Sequence, residues 1–156
     1  MCGHCGCEAL EVIAELTAEH DVVVALSGEA TRAVLAGDID AAAAKVRAIT
    51  AVLGPHTVVE ERALFPVMAE DFGDHVQGLV DEHRLIEAVL AKARDGTPTD
   101  PDWPDRLGSV LRTLREHILK EQDGLFPAAL AYLDGTAWEA AEAVRATVGS
   151  HLRADV

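Results

Sequence analysis

Residues His56–Pro66 read HTVVEERALFP, and residues His117–Pro127 read HILKEQDGLFP. Both follow one template: His, three residues, Glu, three residues, Leu-Phe-Pro. On a helix, positions four apart share a face, about 5–6 Å from each other. Each copy therefore sets one imidazole beside one carboxylate. The chain holds seven histidines and spends two of them on this repeated string. How the rest of the chain is read depends on what the repeat is for.

Both strings lie inside helical periodicity. From Glu8, the apolar positions Leu10, Ile13, Leu16, Val23, Ala30 and Val34 recur at helical steps and predict a first helix. Gly37 and Asp38 break it, and Asp38 can cap the next one. The second helix carries Ala42, Val46, Ile49, Val52 and Leu53, then Val59, Leu64 and Val67. Gly54-Pro55 should kink or tighten it, because proline lacks an N–H and clashes with the preceding turn. Gly73-Asp74 marks the next break. The third helix carries Val76, Leu79, Val80, Ile86 and Leu90 and ends near Gly96. DGTPTDPDWP, Asp95–Pro104, reads as a loop. A fourth helix carries Leu107, Val110, Leu111, Leu114, Leu125 and Ala128. After Asp134-Gly135, a shorter fifth runs from Trp138 toward Leu152.

A chain of 156 residues suits one domain with a real core rather than two. Its apolar share of 49 %, dominated by Ala, Val and Leu, favours an all-α protein. The expected fold is an antiparallel up-down four-helix bundle with an additional short C-terminal helix outside it or at one end. Residues 8–156 would form that domain, and residues 1–7 a Cys/His-rich tail.

The histidines fall on the apolar stripes, one per helix. His20 lies between Leu16 and Val23, His56 between Leu53 and Val59, and His83 between Leu79 and Ile86. His117 lies one turn past Leu114. The repeat also extends upstream, since AEH at Ala18–His20 precedes His56 much as DEH at Asp81–His83 precedes His117. Each half is a helical hairpin with His on one arm and His-x-x-x-Glu on the other. Two facing hairpins bring four imidazoles and two carboxylates to one level of the core. No Lys or Arg shares that stripe, so burying Glu60 and Glu121 is costly unless a cation compensates them. Imidazole and carboxylate donors suit iron, zinc, copper or manganese. Six donors exceed the four that close a structural zinc site, and they suit two ions about 3.5–4 Å apart. Glu60 and Glu121 are placed to bridge and the histidines to cap, with iron the natural choice.

Other chemistry is less well supported. A Glu-x-x-His di-iron motif is absent, because Thr17, Leu53, Val80 and Leu114 stand three residues before the four histidines. A net charge of −14 repels phosphate backbones and anionic lipids, so neither nucleic acid nor membrane is an expected partner. No run of about 18 uncharged apolar residues is present, and the N-terminus does not read as a signal peptide. All three cysteines fall in MCGHCGC, Met1–Cys7, which does not read as a disulfide framework. A reducing cytoplasm is the default location. Cys2, His4, Cys5 and Cys7 either bind a metal or do thiol chemistry, or form a plain reduced tail. Glu61 reads as a solvated residue or as a support to the site. Tyr132 is expected in the core, and His75 and His151 at the surface.

His20, the pair His56/Glu60, His83 and the pair His117/Glu121 stand in an order that resembles the hemerythrin family, the HHE cation-binding domains. The match covers about Glu15 to Tyr132. The resemblance implies a four-helix bundle with a non-haem centre of two iron ions, oxo- or hydroxo-bridged. It implies O₂, peroxide or nitric oxide as small-molecule ligand, or a role in iron handling, with a protein electron donor or iron-accepting partner. The chain departs from the oxygen carriers of the family in two places. Glu87 stands where they have a second third-helix histidine, and His117-x-x-x-Glu121 replaces His-x-x-x-x-Asp. Glu87 is either a seventh ligand, which would favour ferric iron, or a solvent-facing residue. Aromatic residues make up only 4 % of the chain, which also argues against an aromatic-walled O₂ pocket. Both features steer the reading from O₂ transport toward peroxide decomposition (catalase-like), redox or oxygen sensing, or iron storage and delivery without turnover.

Overall fold

A computed structural model describes residues 7–153, the Glu8 side chain excepted. Cys2, His4 and Cys5 of the tail lie outside the described residues. Among those described, every regular element is helical. Helix α1 spans Cys7–Leu35 and α2 spans Ile39–Val59. A π-helical turn, Glu60–Leu64, leads into α3, Phe65–Leu90. Helix α4, Trp103–Lys120, passes through a second π turn, Glu121–Leu125, into α5, Phe126–Tyr132. Helix α6, Gly135–Val148, follows. Helix α3 serves two arms of the bundle, because Phe72 leaves helical geometry at φ −126°, ψ 37°. That kink falls beside the expected Gly73-Asp74 break. The result is an all-α bundle whose hairpins pair α1 with α2 and α3 with α4.

The turns form as the sequence suggests. Gly37 takes φ 76° and ends α1 in the left-handed region that favours glycine. Asp38 Oδ1 accepts from the Ala41 N–H at 3.0 Å and caps α2. Asp134 does the same for α6, accepting from Ala137 at 2.9 Å.

Helix α2 continues through Pro55 to Val59. At each Leu-Phe-Pro the helical path widens instead of ending, in a turn that begins at the preceding glutamate. The N–H groups of Phe65 and Phe126 bond to the carbonyls of Glu60 and Glu121, five residues back. Pro66 and Pro127 have no N–H, and each ring crowds the carbonyl four residues earlier. A π turn over that segment accommodates the ring and adds one residue to the helical count. The added residue re-phases the helix, so that Leu64 with Phe65, and Leu125 with Phe126, are all buried.

The core forms two apolar clusters. One holds Leu16, Val59, Leu79 and Leu125; the other holds Val23, Val52, Ile86 and Leu114. His20, His56, His83 and His117 each lie between one residue of the first group and one of the second on their own arm. The polar layer therefore sits between two apolar plugs, and each plug fixes the rotation of all four arms. Trp103 anchors the second plug, fully buried, with its indole N–H donating to the Val89 carbonyl at 3.1 Å. Trp103→Ala is expected to cost about 3–5 kcal/mol in denaturant unfolding. A loss under about 1 kcal/mol would mean that this end of the bundle does not depend on the indole.

Three smaller expectations are corrected. Leu10 is exposed, because Ala9 and Val12 take the buried face at the start of α1. Tyr132 is not in the core; it lies at the surface, its hydroxyl bonded to Asp71 and its ring edge-on to Phe72 across the α3 kink. Cys7 is disulfide-bonded, so a reduced tail does not hold at this residue. His75 and His151 are exposed, as expected.

Candidate metal centre

Each of the four buried histidines presents Nε2 inward and Nδ1 outward. On the inner side, His20 Nε2 lies 3.0 Å from Glu121 Oε1. His56 Nε2 lies 3.3 Å from Glu60 Oε1, and His117 Nε2 lies 3.3 Å from Glu121 Oε2. His83 Nε2 lies 3.4 Å from Glu60 Oε1 and 4.0 Å from Glu121 Oε2. Each glutamate thus reaches one histidine on its own arm, four residues away, and others across the bundle. Two overlapping donor sets result: His20, His56, Glu60 and Glu121, and Glu60, His83, His117 and Glu121. Within each set the donor atoms lie within 4.8 Å of one another.

On the outer side, each Nδ1 meets an oxygen. His56 faces Glu19 at 3.0 Å, His117 faces Glu82 at 3.0 Å, His83 faces Glu61 at 2.7 Å, and His20 faces Gln122 at 3.1 Å. Such a bond fixes the tautomer and ring orientation and leaves Nε2 free as a donor. The arrangement follows the repeat. Glu19 and Glu82 precede the first-arm histidines and hold the second-arm ones. Glu61 and Gln122 follow the shared glutamates and hold the first-arm histidine of the opposite hairpin. The phenylalanines of Leu-Phe-Pro obey the same symmetry. Phe65 stacks on His83 with centroids 5.6 Å apart, and Phe126 stacks on His20 at 5.5 Å.

The inner atoms fit a cation. Both carboxylate oxygens of Glu60 and of Glu121, with Nε2 of His56 and His117, are buried without a hydrogen-bond partner. Orphaned polar atoms are costly in a protein interior, and these all face one point. A description of the hemerythrin HHE cation binding domain matches residues 11–129. The chain belongs to that family. Helix α6 lies beyond the matched residues. The chain is also 27 % identical over 77 residues to a curated DNA nickase of Nostoc sp. (strain PCC 7120 / SAG 25.82 / UTEX 2576). That match covers 49 % of this chain and 22 % of the relative, so the chain spans about a fifth of that protein's length. No solved structure is significantly similar.

As in other HHE domains, the site is one for metal cations, and its charge explains why. Burial disfavours charge on His56, yet the Glu60 charge and the Glu19 carboxylate at Nδ1 override it and push the pKa up to about 10. Burial opposes charge on His117 too, and Glu121 raises it to about 9. His83 is raised against burial by Glu60. Burial would raise Glu60, but the His56 charge and the nearness of Glu121, His56 and His83 hold it well below the usual carboxylate range. Two buried carboxylates lack positive charge, and in the metal-free chain protons on imidazole supply it. A divalent cation supplies more, at the point where the orphaned atoms converge.

Of the seven residues singled out from sequence, the structure gathers six. Glu87 stands apart: it is 52 % exposed and its carboxylate accepts two bonds from Arg84 at 3.0 Å. It borders instead a cavity of about 230 Å³ that runs to the donor clusters. Leu53, Ile86, Leu90, Leu114 and Ile118 form its apolar walls, and the exposed Thr50, Glu87 and Arg94 its rim. Glu61, next to Glu60, could be read from sequence as a solvated residue or as a support to the site; it supports the site, bonding to His83 and Arg84. Glu19, Glu82 and Gln122 were not singled out, although the repeated AEH/DEH strings carried the first two. Arg145 gave no sequence signal toward the site.

No helix among the described residues is long and apolar enough to cross a membrane.

Proposed function

We propose that this chain is a non-haem di-iron protein that meets peroxide, O₂ or nitric oxide at the end of its cavity, with peroxide decomposition or redox and oxygen sensing as its role rather than O₂ transport. The observation that carries this reading is the pair of overlapping donor sets sharing Glu60 and Glu121. His20 and His56 would hold one ion, His83 and His117 the other, and the two glutamates would serve both. Two histidines with carboxylate, and positions left over for a small molecule, is a donor set typical of non-haem iron. A bound iron pair supplies two electrons between its ferrous and ferric states, the number that takes peroxide to water.

The chain's own residues do the rest. Apolar walls line the approach to the donors, and three carboxylates and the Gln122 amide hold the imidazoles in place while each Nε2 faces inward. The cavity rim is exposed and polar, so the site is open to water and protons. Such access suits turnover or sensing and works against a stable O₂ adduct, which needs a closed pocket. Residues 8–156 would act as one domain, with the Cys/His tail as an accessory to iron delivery or redox response. Nicking belongs to the Nostoc relative; the charge of −14 gives no reason to carry it over.

The test is iron content per chain, with an ultraviolet–visible spectrum before and after peroxide. Two irons per chain, near-ultraviolet bands that change with peroxide, and peroxide consumption are expected. Two irons with no consumption would leave a storage, delivery or sensing module. One zinc per chain, or no metal after reconstitution, would sink the di-iron reading.

A further inference from the structure

Helix α6 looks peripheral, yet it delivers the most deeply buried cation among the described residues to the back of the site. Arg145 is 0 % exposed. Its guanidinium donates to both oxygens of Glu19, at 2.7 and 3.1 Å, and to the Gly149 carbonyl at 2.9 Å. It also lies against Glu15. Ser150, just past α6, donates to Glu19 at 2.6 Å. Glu19 in turn holds His56 Nδ1. The other outer carboxylates also have cations, but exposed ones: Arg84 beside Glu61 is 54 % exposed and Lys120 beside Glu82 is 49 % exposed. Only the His56 branch is locked by a buried guanidinium, from a helix beyond the matched residues 11–129.

We propose that Arg145 is a positioning residue of the cation site, acting through Glu19 on His56, so that docking of α6 and occupancy of the His20/His56 half are thermodynamically linked. With α6 docked, Arg145 and Ser150 hold the Glu19 carboxylate in a fixed geometry, and His56 presents Nε2 to the inner cluster. With α6 displaced, Glu19 loses those donors and is free to turn away, and His56 loses its orienting acceptor. Linkage runs both ways: an ion that favours the docked arrangement must also hold α6 down. The inference rests on the cation-site reading above and adds to it a route from the site to the C-terminal surface.

Titration of chelator-stripped protein with Co²⁺, followed by visible absorption and calorimetry, counts the ions and reads each affinity. The wild-type chain is expected to bind two. Arg145→Met is expected to weaken one of the two by about 10–100-fold, the usual effect of losing an outer partner, and to leave the other within about threefold. Arg145→Lys should recover part of the loss. Gly37→Ala, a destabilising change at the left-handed turn between α1 and α2, should shift neither affinity, which separates positioning from mere stability. If Arg145→Met does not fold, Ser150→Ala carries the test with a smaller shift in the same direction. Hydrogen exchange across residues 135–150 should slow on adding Co²⁺. Unchanged affinities in Arg145→Met or Ser150→Ala, or α6 exchange indifferent to Co²⁺, would overturn the proposal. A wild-type chain that binds no Co²⁺ would instead overturn the cation-site reading itself.

Discussion

Alanine at Glu60 is expected to weaken both cation positions together, each by more than about 100-fold, while the helices remain. Loss of an outer partner already costs about 10–100-fold in affinity, and Glu60 belongs to both donor sets. Its removal costs the metal-free fold the charge pairing with His56, but leaves the apolar plugs on either side of the polar layer intact. Circular dichroism of the variant should therefore stay helical. Glu87→Ala is the matched control. Glu87 is half exposed and tied to Arg84, so its removal should change affinity by less than about threefold, as surface ion pairs usually do. Full binding by Glu60→Ala would refute the shared-carboxylate assignment. A loss in Glu87→Ala equal to that in Glu60→Ala would restore Glu87 as a seventh ligand.

The contrast between these two glutamates shows what the sequence can carry. His56 and Glu60, like His117 and Glu121, lie four apart on one helix, and that spacing alone fixes their common face. Periodicity also gave the histidine on every arm, because each interrupts an apolar stripe at the junction between two plugs. Glu87 lies four residues after His83, the same spacing, yet it is outside the cluster. The face it occupies is set by the rotation of α3 against its neighbours, which no single helix encodes. The π turns were hidden for a related reason. Proline predicts a disturbance, but whether the helix breaks or widens depends on what the following Leu and Phe must bury. Glu19 and Glu82 were visible as part of a repeat but not as partners of histidines some 36 residues on. Arg145 was the least legible residue. It sits on the added helix, and only tertiary packing brings it to Glu19.

These features assign distinct work to the parts of the repeated string. The histidine and glutamate face the cation site, Leu fills the core, and Phe stacks on the imidazole of the opposite hairpin. Proline forces the wide turn that lets Leu and Phe both point inward. A duplicated hairpin therefore supplies each half of the site with ligands from both hairpins. Neither hairpin holds a complete donor set, so cation binding must depend on the assembled bundle.

Loading both positions is therefore expected to raise the melting temperature by a large margin. A ligand that binds only the folded state stabilises it by about 4 kcal/mol at a free concentration a thousand times its Kd, or about 8 kcal/mol for two ions. For a domain of this size, about 2–4 °C follows per kcal/mol, which gives a rise of about 15–30 °C. The rise should also depend on pH. In the metal-free chain the His56 and His117 pKa values are raised, to about 10 and about 9. A raised imidazole stabilises the fold fully below its unfolded value near 6.5, and that contribution is lost as pH climbs through the folded value. The metal-free melting temperature should thus fall between about pH 7 and pH 10. Cations bind the deprotonated imidazole, so the loaded protein is spared this loss, and proton competition weakens as pH rises. Differential scanning calorimetry with and without metal should show the gap widening from about pH 7 to about pH 9. A gap that stays constant would mean that the buried carboxylates are balanced by something other than protons in the metal-free chain, and the electrostatic account of why this site takes cations would fail.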